Sequence, residues 1–352
     1  MRMFVPMLDP SAPEEFHDAV ADFFAHDEPD FDGWLTAMRN RIPGLFPARV
    51  SLAQDQDHFR ELLPTADACL IESLTFGPQE LARAPHIAVV QKYGALTRNI
   101  DLAACAARKV RVCVQRRRVN VSLAELVMAL LLGMGKHVIE LNHVIDEPRL
   151  NAAGYQIRPY DKRYTGGSNF ARIPGLRTMF GKTLGIIGFG EVGREIARRA
   201  QAFEMRIVYT QRTRLSDVEE GFLGATYLPL RELMAASDYI TINLPVTPQT
   251  TRILGAAEFA AFKPGSFLAN VARPELIDRA ALFDALDSGR LAGYGTDTWF
   301  ERPARSDDPV FDYKNVVVLP HTAIADRRNA LLDIEEMFMK MSDALIARTA
   351  GA

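Results

Sequence analysis

The stretch that most constrains this chain runs from Lys182 to Arg214, KTLGIIGFGEVGREIARRAQAFEMRIVYTQRTR. An apolar run, Thr183 to Ile187, has the length of a buried strand, and Gly188-Phe189-Gly190-Glu191-Val192-Gly193 follows as a GxGxxG sequence. Val192, Ile196, Ala200 and Phe203 then share one face of a helical pattern, and a second strand reads from Met205 to Thr210. Each glycine has a physical task here. Gly188 lets the chain turn tightly, Gly190 lets backbone approach a pyrophosphate, and Gly193 lets the helix pack close to the strand. The free N–H groups and positive end of the helix face the phosphates. Alone, such a sequence is often a mere tight turn. Flanked by strand and helix at this spacing, it predicts dinucleotide binding.

The rest of the chain supplies the setting. Strands are predicted at 183–188, 205–210, 238–243, 267–271, 292–297 and 315–319, the six of a doubly wound sheet. Upstream, Ala68–Ile71, Ile87–Val90 and Val110–Val114 read as parallel strands, with helical patterns at Glu14–Ala25, Phe59–Leu63 and Leu102–Ala107. A long helix is expected from about Val121 to Ile145, then a Gly-, Pro-, Tyr- and Arg-rich excursion at 146–181, and a last helix over Asp326–Ala347. At 352 residues the chain has room for two domains. A net charge of −3 gives no electrostatic case for nucleic acid or an anionic membrane. The most apolar stretch, Leu126 to Gly135, is too short to span a bilayer. Cys69, Cys105 and Cys113 have no metal-ligand spacing, and no metal site is expected. Each cysteine lies in an apolar run where a buried thiol suits a reducing compartment. The first residues lack the apolar core of a signal peptide, so a cytoplasmic location is expected.

Several separated motifs, in order, carry a resemblance. They are GALTRNIDLAAC (94–105), GKTLGIIGFGEVGREIA (181–197), LPVTPQTTRIL (244–254), NVARPELIDRAAL (270–282), GYGTDTWFERP (293–303) and LPH (319–321). The chain resembles the D-isomer-specific 2-hydroxyacid dehydrogenase family, of the glyoxylate/hydroxypyruvate reductase kind, over roughly residues 66–330. The resemblance implies two doubly wound, parallel-sheet α/β domains, a flavodoxin-like substrate domain (1–120 with 321–352) and an inserted Rossmann domain (121–320, including the crossover helix and the excursion). It also implies hydride transfer between a nicotinamide cofactor and a small 2-oxo or 2-hydroxy acid, and a homodimer.

The same resemblance assigns roles. Arg273 falls in the catalytic arginine slot, where a planar guanidinium can hold a substrate carboxylate and polarise the carbonyl. Pro274 replaces the usual glycine after it and disfavours a helical conformation at Arg273. His321 matches the acid/base histidine, which protonates the alkoxide. A glutamate normally stabilises that imidazole from the fifth position after the conserved aspartate, here Asp297. Counting gives Arg302, with Glu301 one residue early. Glu301 is taken as the catalytic partner, with a solvated loop glutamate as the alternative; an arginine there would oppose the protonated ring. Asp297 is expected at the nicotinamide carboxamide, or else as a turn residue. Gly94, Ala95 and Leu96 match the loop whose amides receive the substrate carboxylate, Leu96 making its wall more apolar. Lys92 could add a positive charge, with a simply solvated lysine as the alternative. Arg116, Arg117 and Arg118 read as a solvated helix entry, although one of them could meet a substrate carboxylate or a partner subunit. Leu244, Pro245, Thr250, Val271 and Ala272 complete the cofactor contacts.

Gln211 is the informative departure. An NAD site normally ends its second strand with an acid that binds the ribose hydroxyls. Here Gln211 stands there, and Arg212, Thr213 and Arg214 bring cations and a hydroxyl to where a 2′-phosphate would lie. NADP(H) is therefore expected in preference to NAD(H), with a basic surface loop as the bland alternative. Two other functions compete: a formate- or phosphite-type dehydrogenase, and a nucleotide-sensing interaction protein like the corepressors of this fold.

Overall fold

The computed structural model describes residues 3–7, 28, 30–42, 44–46, 48–157, 169–324 and 328–350. The helical pattern at 14–25 lies outside the described residues, as does part of the 146–181 excursion. The chain divides into two compact units, Met1–Asn120 with Asp326–Ala352, and Val121–Ala325. His321 therefore belongs to the second unit, and the returning segment starts at 326 rather than 321.

The first unit has five strands: β1 (Met3–Met7), β2 (Arg49–Ala53), β3 (Ala68–Ile71), β4 (Val89–Lys92) and β5 (Arg111–Cys113). Their order is β2-β1-β3-β4-β5, the flavodoxin-like arrangement. β3, β4 and β5 run parallel, whereas β1 is antiparallel to both neighbours, so this sheet is mixed rather than the wholly parallel one expected. Alternation along β3 sends Ala68 and Leu70 to one face and Cys69 and Ile71 to the other. On the first face the helices Phe31–Arg41 and Arg328–Ala350 bury Leu35, Met38, Ile334, Met337, Phe338 and Met341. On the second face Phe59, Leu63, Phe76, Leu81 and Ile100 close the core.

The second unit has seven strands: β6 (Thr183–Ile187), β7 (Arg206–Thr210), β8 (Ala225–Tyr227), β9 (Tyr239–Ile242), β10 (Ser266–Asn270), β11 (Leu291–Thr296) and β12 (Val316–Val318). Their order is β12-β11-β10-β9-β6-β7-β8, all parallel. β8 is a strand more than the six expected. Helices Arg118–Gly135 and Glu191–Ala202 cover one face, with Ala124, Val127, Leu131, Ile196 and Ala200 against Leu184, Ile186 and Ile207. Helices Leu230–Ala236, Ala256–Ala261 and Arg279–Asp287 cover the other through Leu233, Phe259, Leu282 and Leu286.

The long helix stops at Gly135, ten residues before the expected Ile145; turns follow, and His137 sits at φ 53°. Its length and apolarity match a bilayer span, yet Val127, Met128, Leu130, Leu131 and Met134 are spent in the core. Its first turn is held by fully buried Asp333, whose carboxylate accepts from the Arg118 amide at 2.8 Å and the Arg118 guanidinium at 2.7 Å.

Candidate active site

In a parallel sheet every strand ends at the same edge, so the residues just past the strand ends share one rim. Gly188 follows β6, Gln211 follows β7, Asn243 follows β9, and Asp297 follows β11. Arg273 and His321 each lie three residues beyond the ends of β10 and β12. Both strands pair with the tip of β11, which lies between them, Asn270 with Thr296 and Val318 with Thr296.

The glycine turn has the geometry a pyrophosphate needs. Gly188 sits at φ +93°, and a Cβ there would lie 2.6 Å from the Asn243 carbonyl oxygen. A Cβ on Gly193 would lie 2.5 Å from the Gly188 carbonyl oxygen. Around Gly190 such an atom meets nothing within 4 Å, which leaves open room above the helix Glu191–Ala202 at its N-cap. The open cradle at a helix N-terminus fits a dinucleotide. Phe189 and Val192 point their side chains into the core and can offer only backbone. Phe189 stacks on Tyr209, centroids 4.5 Å apart.

Tyr209 anchors the loop after β7. Its hydroxyl accepts from the Leu215 amide at 2.9 Å and donates to Glu220 at 2.7 Å. Burial, then the bond to Glu220, pushes the phenol up to about 12. Arg214 makes a two-pronged pair with Glu220, 2.8 and 3.0 Å, and a further bond of 3.0 Å to Asp217. Arg214 thereby lowers the Glu220 carboxyl against the opposing effect of burial. The two arginines that look alike in sequence thus differ. Arg214 is committed to this brace, whereas Arg212 is exposed and makes no hydrogen bond or ion pair among the described residues. Gln211 folds back, its amide donating to the Thr213 carbonyl at 2.6 Å.

At β10 the turn is built by a residue that pattern reading passed over. The Asn270 side chain accepts from the Ala272 amide at 3.0 Å and donates to the Arg273 carbonyl at 2.9 Å. Arg273 is extended, φ −146° and ψ 141°, and a short 3-10 helix begins at Pro274, which agrees with the restriction a following proline imposes. Its side chain is exposed, Nη1 resting 2.7 Å from the Ala272 carbonyl. After β9, the Thr250 hydroxyl closes the loop on the Pro245 carbonyl at 2.6 Å, and Leu244 lies beside Gly188. Val271 is buried.

Asp297 is 1% exposed. Its Oδ1 accepts from the Thr322 amide at 2.7 Å and its Oδ2 from the Ala323 amide at 2.9 Å. The carboxylate thus ties the tip of β11 to the two residues after His321, which is itself held at φ 62°. Facing the imidazole is Arg302, with Nη1 3.4 Å from Nδ1. Glu301, the expected partner, is exposed and makes no such bond. The two neighbours project differently from the loop, and the guanidinium takes the position.

In the first unit Gly94 is at φ 143° just beyond β4, with its carbonyl accepting from the Gln115 amide at 2.9 Å. Ala95 is exposed and Leu96 half-buried. Lys92 is buried, and its ammonium donates to the Glu72 carbonyl rather than standing as a solvated cation. Of the three consecutive arginines, Arg117 pairs with Glu72 at 2.6 Å and lies 4.1 Å from the Tyr93 ring centroid. Arg118 pairs with Asp333 and Glu336, so neither is the solvated helix entry expected of the run.

Residues 149–323 match the family model described as the NAD binding domain of D-isomer specific 2-hydroxyacid dehydrogenases. A glyoxylate reductase from Pyrococcus furiosus is 33% identical over 253 residues, 71% of each chain. The crystal structure of a glyoxylate reductase from Paecilomyes thermophila is similar with a TM-score of 0.51 and 26% identity, covering 82% of this chain and 85% of that one. A Granulicella formate dehydrogenase shares the fold, with a TM-score of 0.52 and 24% identity over 81% of this chain and 71% of that one.

Proposed function

Since the chain belongs to the D-isomer-specific 2-hydroxyacid dehydrogenases, oxidoreductases that use a nicotinamide cofactor on small 2-oxo and 2-hydroxy acids, we propose that it is an NADP(H)-preferring reductase of a glyoxylate- or hydroxypyruvate-like 2-oxo acid. The observation that carries the cofactor preference is Arg212, an exposed cation unengaged among the described residues, at a strand end that lacks the usual acid. The similarity to glyoxylate reductases supports the substrate class.

When bound, the reduced nicotinamide supplies a hydride to the oxo carbon. The chain's own residues do the rest. The amides opening the helix at Gly190, Glu191, Val192 and Gly193 hold the pyrophosphate, and Arg212, Gln211 and Thr213 hold the 2′-phosphate. Leu244, Pro245, Thr250, Val271 and Ala272 line the cofactor's path along the rim. Arg273 grips the carboxylate and polarises the oxo group, while Gly94, Ala95 and Leu96 offer amides to a carboxylate. His321 serves the oxygen. Asp297 fixes the segment that carries His321, and its oxygens keep lone pairs for a carboxamide. We also propose a homodimer, supported by exposed apolar side chains at Val138, Ile139, Ile145, Phe170 and Phe180, and a reducing, cytoplasmic setting, supported by three buried free thiols.

One observation favours a second reading, formate- or phosphite-type oxidation. No carboxylate bonds His321 among the described residues, and removing hydride from formate requires no proton on an alkoxide. One panel decides: glyoxylate, hydroxypyruvate and pyruvate with NADPH and NADH side by side, and formate and phosphite with NADP+. We expect oxo-acid reduction with NADPH favoured by about tenfold or more, the value of one charge-assisted contact. Preference for NADH, or turnover of formate alone, overturns the reading.

A further inference from the structure

A guanidinium carries five N–H donors and no acceptor. A ring nitrogen that faces one must therefore present its lone pair. At 3.4 Å, Arg302 Nη1 faces Nδ1 of His321. The other charged groups around this segment of the second unit do not compete for Nδ1. Asp297 is taken up by the Thr322 and Ala323 amides. Glu301 is exposed and acts on Arg305, and the Arg273 guanidinium rests on the Ala272 carbonyl. A carboxylate partner would instead demand a proton on Nδ1 and leave Nε2 bare.

We propose that Arg302 is a positioning residue that fixes His321 as the tautomer protonated on Nε2, so that the neutral ring is the donor to the substrate oxygen. The inference rests on His321 serving the oxygen in the reduction proposed above. Nε2–H hydrogen-bonds the oxo oxygen and polarises it, as a preorganised neutral donor can. As the oxo carbon takes up hydride, the C=O π pair moves onto oxygen. The Nε2–H bond then breaks toward that oxygen and its electron pair stays on the ring. The resulting imidazolate faces the Arg302 cation through Nδ1. Water returns a proton to Nε2 and leaves as hydroxide, which closes the cycle with one proton consumed per carbonyl reduced.

The test uses the full chain labelled with 15N-histidine. Two-bond 1H–15N correlation reads the tautomer, with the His321 signals identified by their loss in His321→Gln. Nδ1 should be bare and Nε2 protonated in the wild type, and Arg302→Glu should move the proton to Nδ1. In parallel, kcat/KM for glyoxylate reduction is followed with pH. A neutral donor keeps it level from about pH 7 to pH 9, whereas an imidazolium donor loses roughly tenfold per pH unit above its titration. The wild type should be level and Arg302→Glu should slope. Arg302→Met removes the donor without adding charge and stands in if the glutamate variant does not fold. A proton on Nδ1 in the wild type, or the same slope in wild type and variant, overturns the inference. A wild type that reduces no oxo acid overturns the functional reading instead, while the tautomer still judges the Arg302 contact.

Discussion

Replacing Gly190 by alanine separates cofactor binding from folding. Gly190 has φ −77° and ψ −156°, a conformation open to any residue, and an added methyl meets nothing within 4 Å. The folded chain should therefore lose only the difference between glycine and alanine at a helix N-cap, about 1 kcal/mol or less. That corresponds to a shift in Tm of about 2–4 °C. The same methyl occupies the room through which backbone would reach the pyrophosphate. Displacing one charge-assisted N–H bond costs about 1.5–3 kcal/mol, so Kd should rise by roughly 10- to 150-fold. NADPH and NADH should suffer alike, since the pyrophosphate is common to both. Gly188→Ala is the contrasting control: its methyl would sit 2.6 Å from a backbone oxygen at φ +93°, so the fold itself should give way. Isothermal titration with both cofactors and calorimetric unfolding of the three proteins supply the readings. If Gly190→Ala binds both nucleotides with wild-type affinity, the cradle is not where the phosphates lie. If it unfolds as readily as Gly188→Ala, the open space is not there.

Arg212→Ala should raise the Kd for NADPH by roughly 10- to 100-fold and that for NADH less than about twofold; equal losses in titrations of both would dismiss the phosphate role. Asp297→Ala strips the Thr322 and Ala323 amides of their acceptor, at about 1–3 kcal/mol for each donor left unmet, whereas Asp297→Asn keeps one oxygen. Melting temperature and kcat should rank Ala below Asn, and identical losses would show that the bonds to the amides do not matter. In the first unit Glu336 is held down to about 2: burial works against this, but Lys340, Gln115 and Arg118 outweigh it. A depressed carboxyl contributes stability above its ordinary value, and that stability fades as pH falls from about 4.5 toward 2. Thermal unfolding of Glu336→Gln should therefore lie below wild type at neutral pH and converge with it in acid; a gap that persists to the lowest pH refutes the assignment.

Residues whose role depends on local geometry were the readable ones. The GxGxxG turn announces itself because Gly188 and Gly193 answer steric demands set by residues close by in the fold, while Gly190 leaves the helix N-terminus open. The other six strands of the second unit read as strands because they lie in apolar runs bounded by helical patterns, β12 within the longer run Val316–Leu319. β8, Ala-Thr-Tyr between Gly224 and Pro229, offers no apolar run of the kind that marks β12. β1 contains Pro6, which argues against a strand in the middle of a sheet. The helix overran because Val138 and Ile139 continue the apolar pattern, yet they are exposed and His137 has already left the helix at φ 53°. Arg212 and Arg214 are indistinguishable by type and position. Only the fold brings Glu220 to one of them. The partner of His321 depends in the same way on which of two adjacent side chains turns inward.

The Phe189–Tyr209 stack carries a consequence for redesign. One ring belongs to the turn proposed to receive phosphates and the other to the strand whose loop bears Arg212. The Tyr209 hydroxyl in turn clasps that loop at Leu215 and Glu220. Grafting a foreign cofactor loop between Thr210 and Ser216 without an aromatic hydroxyl at 209 would cut the new segment loose from its mooring. Transplants that carry the tyrosine and its acidic acceptor along should inherit the donor enzyme's nucleotide choice; those that leave them behind should bind either nucleotide poorly.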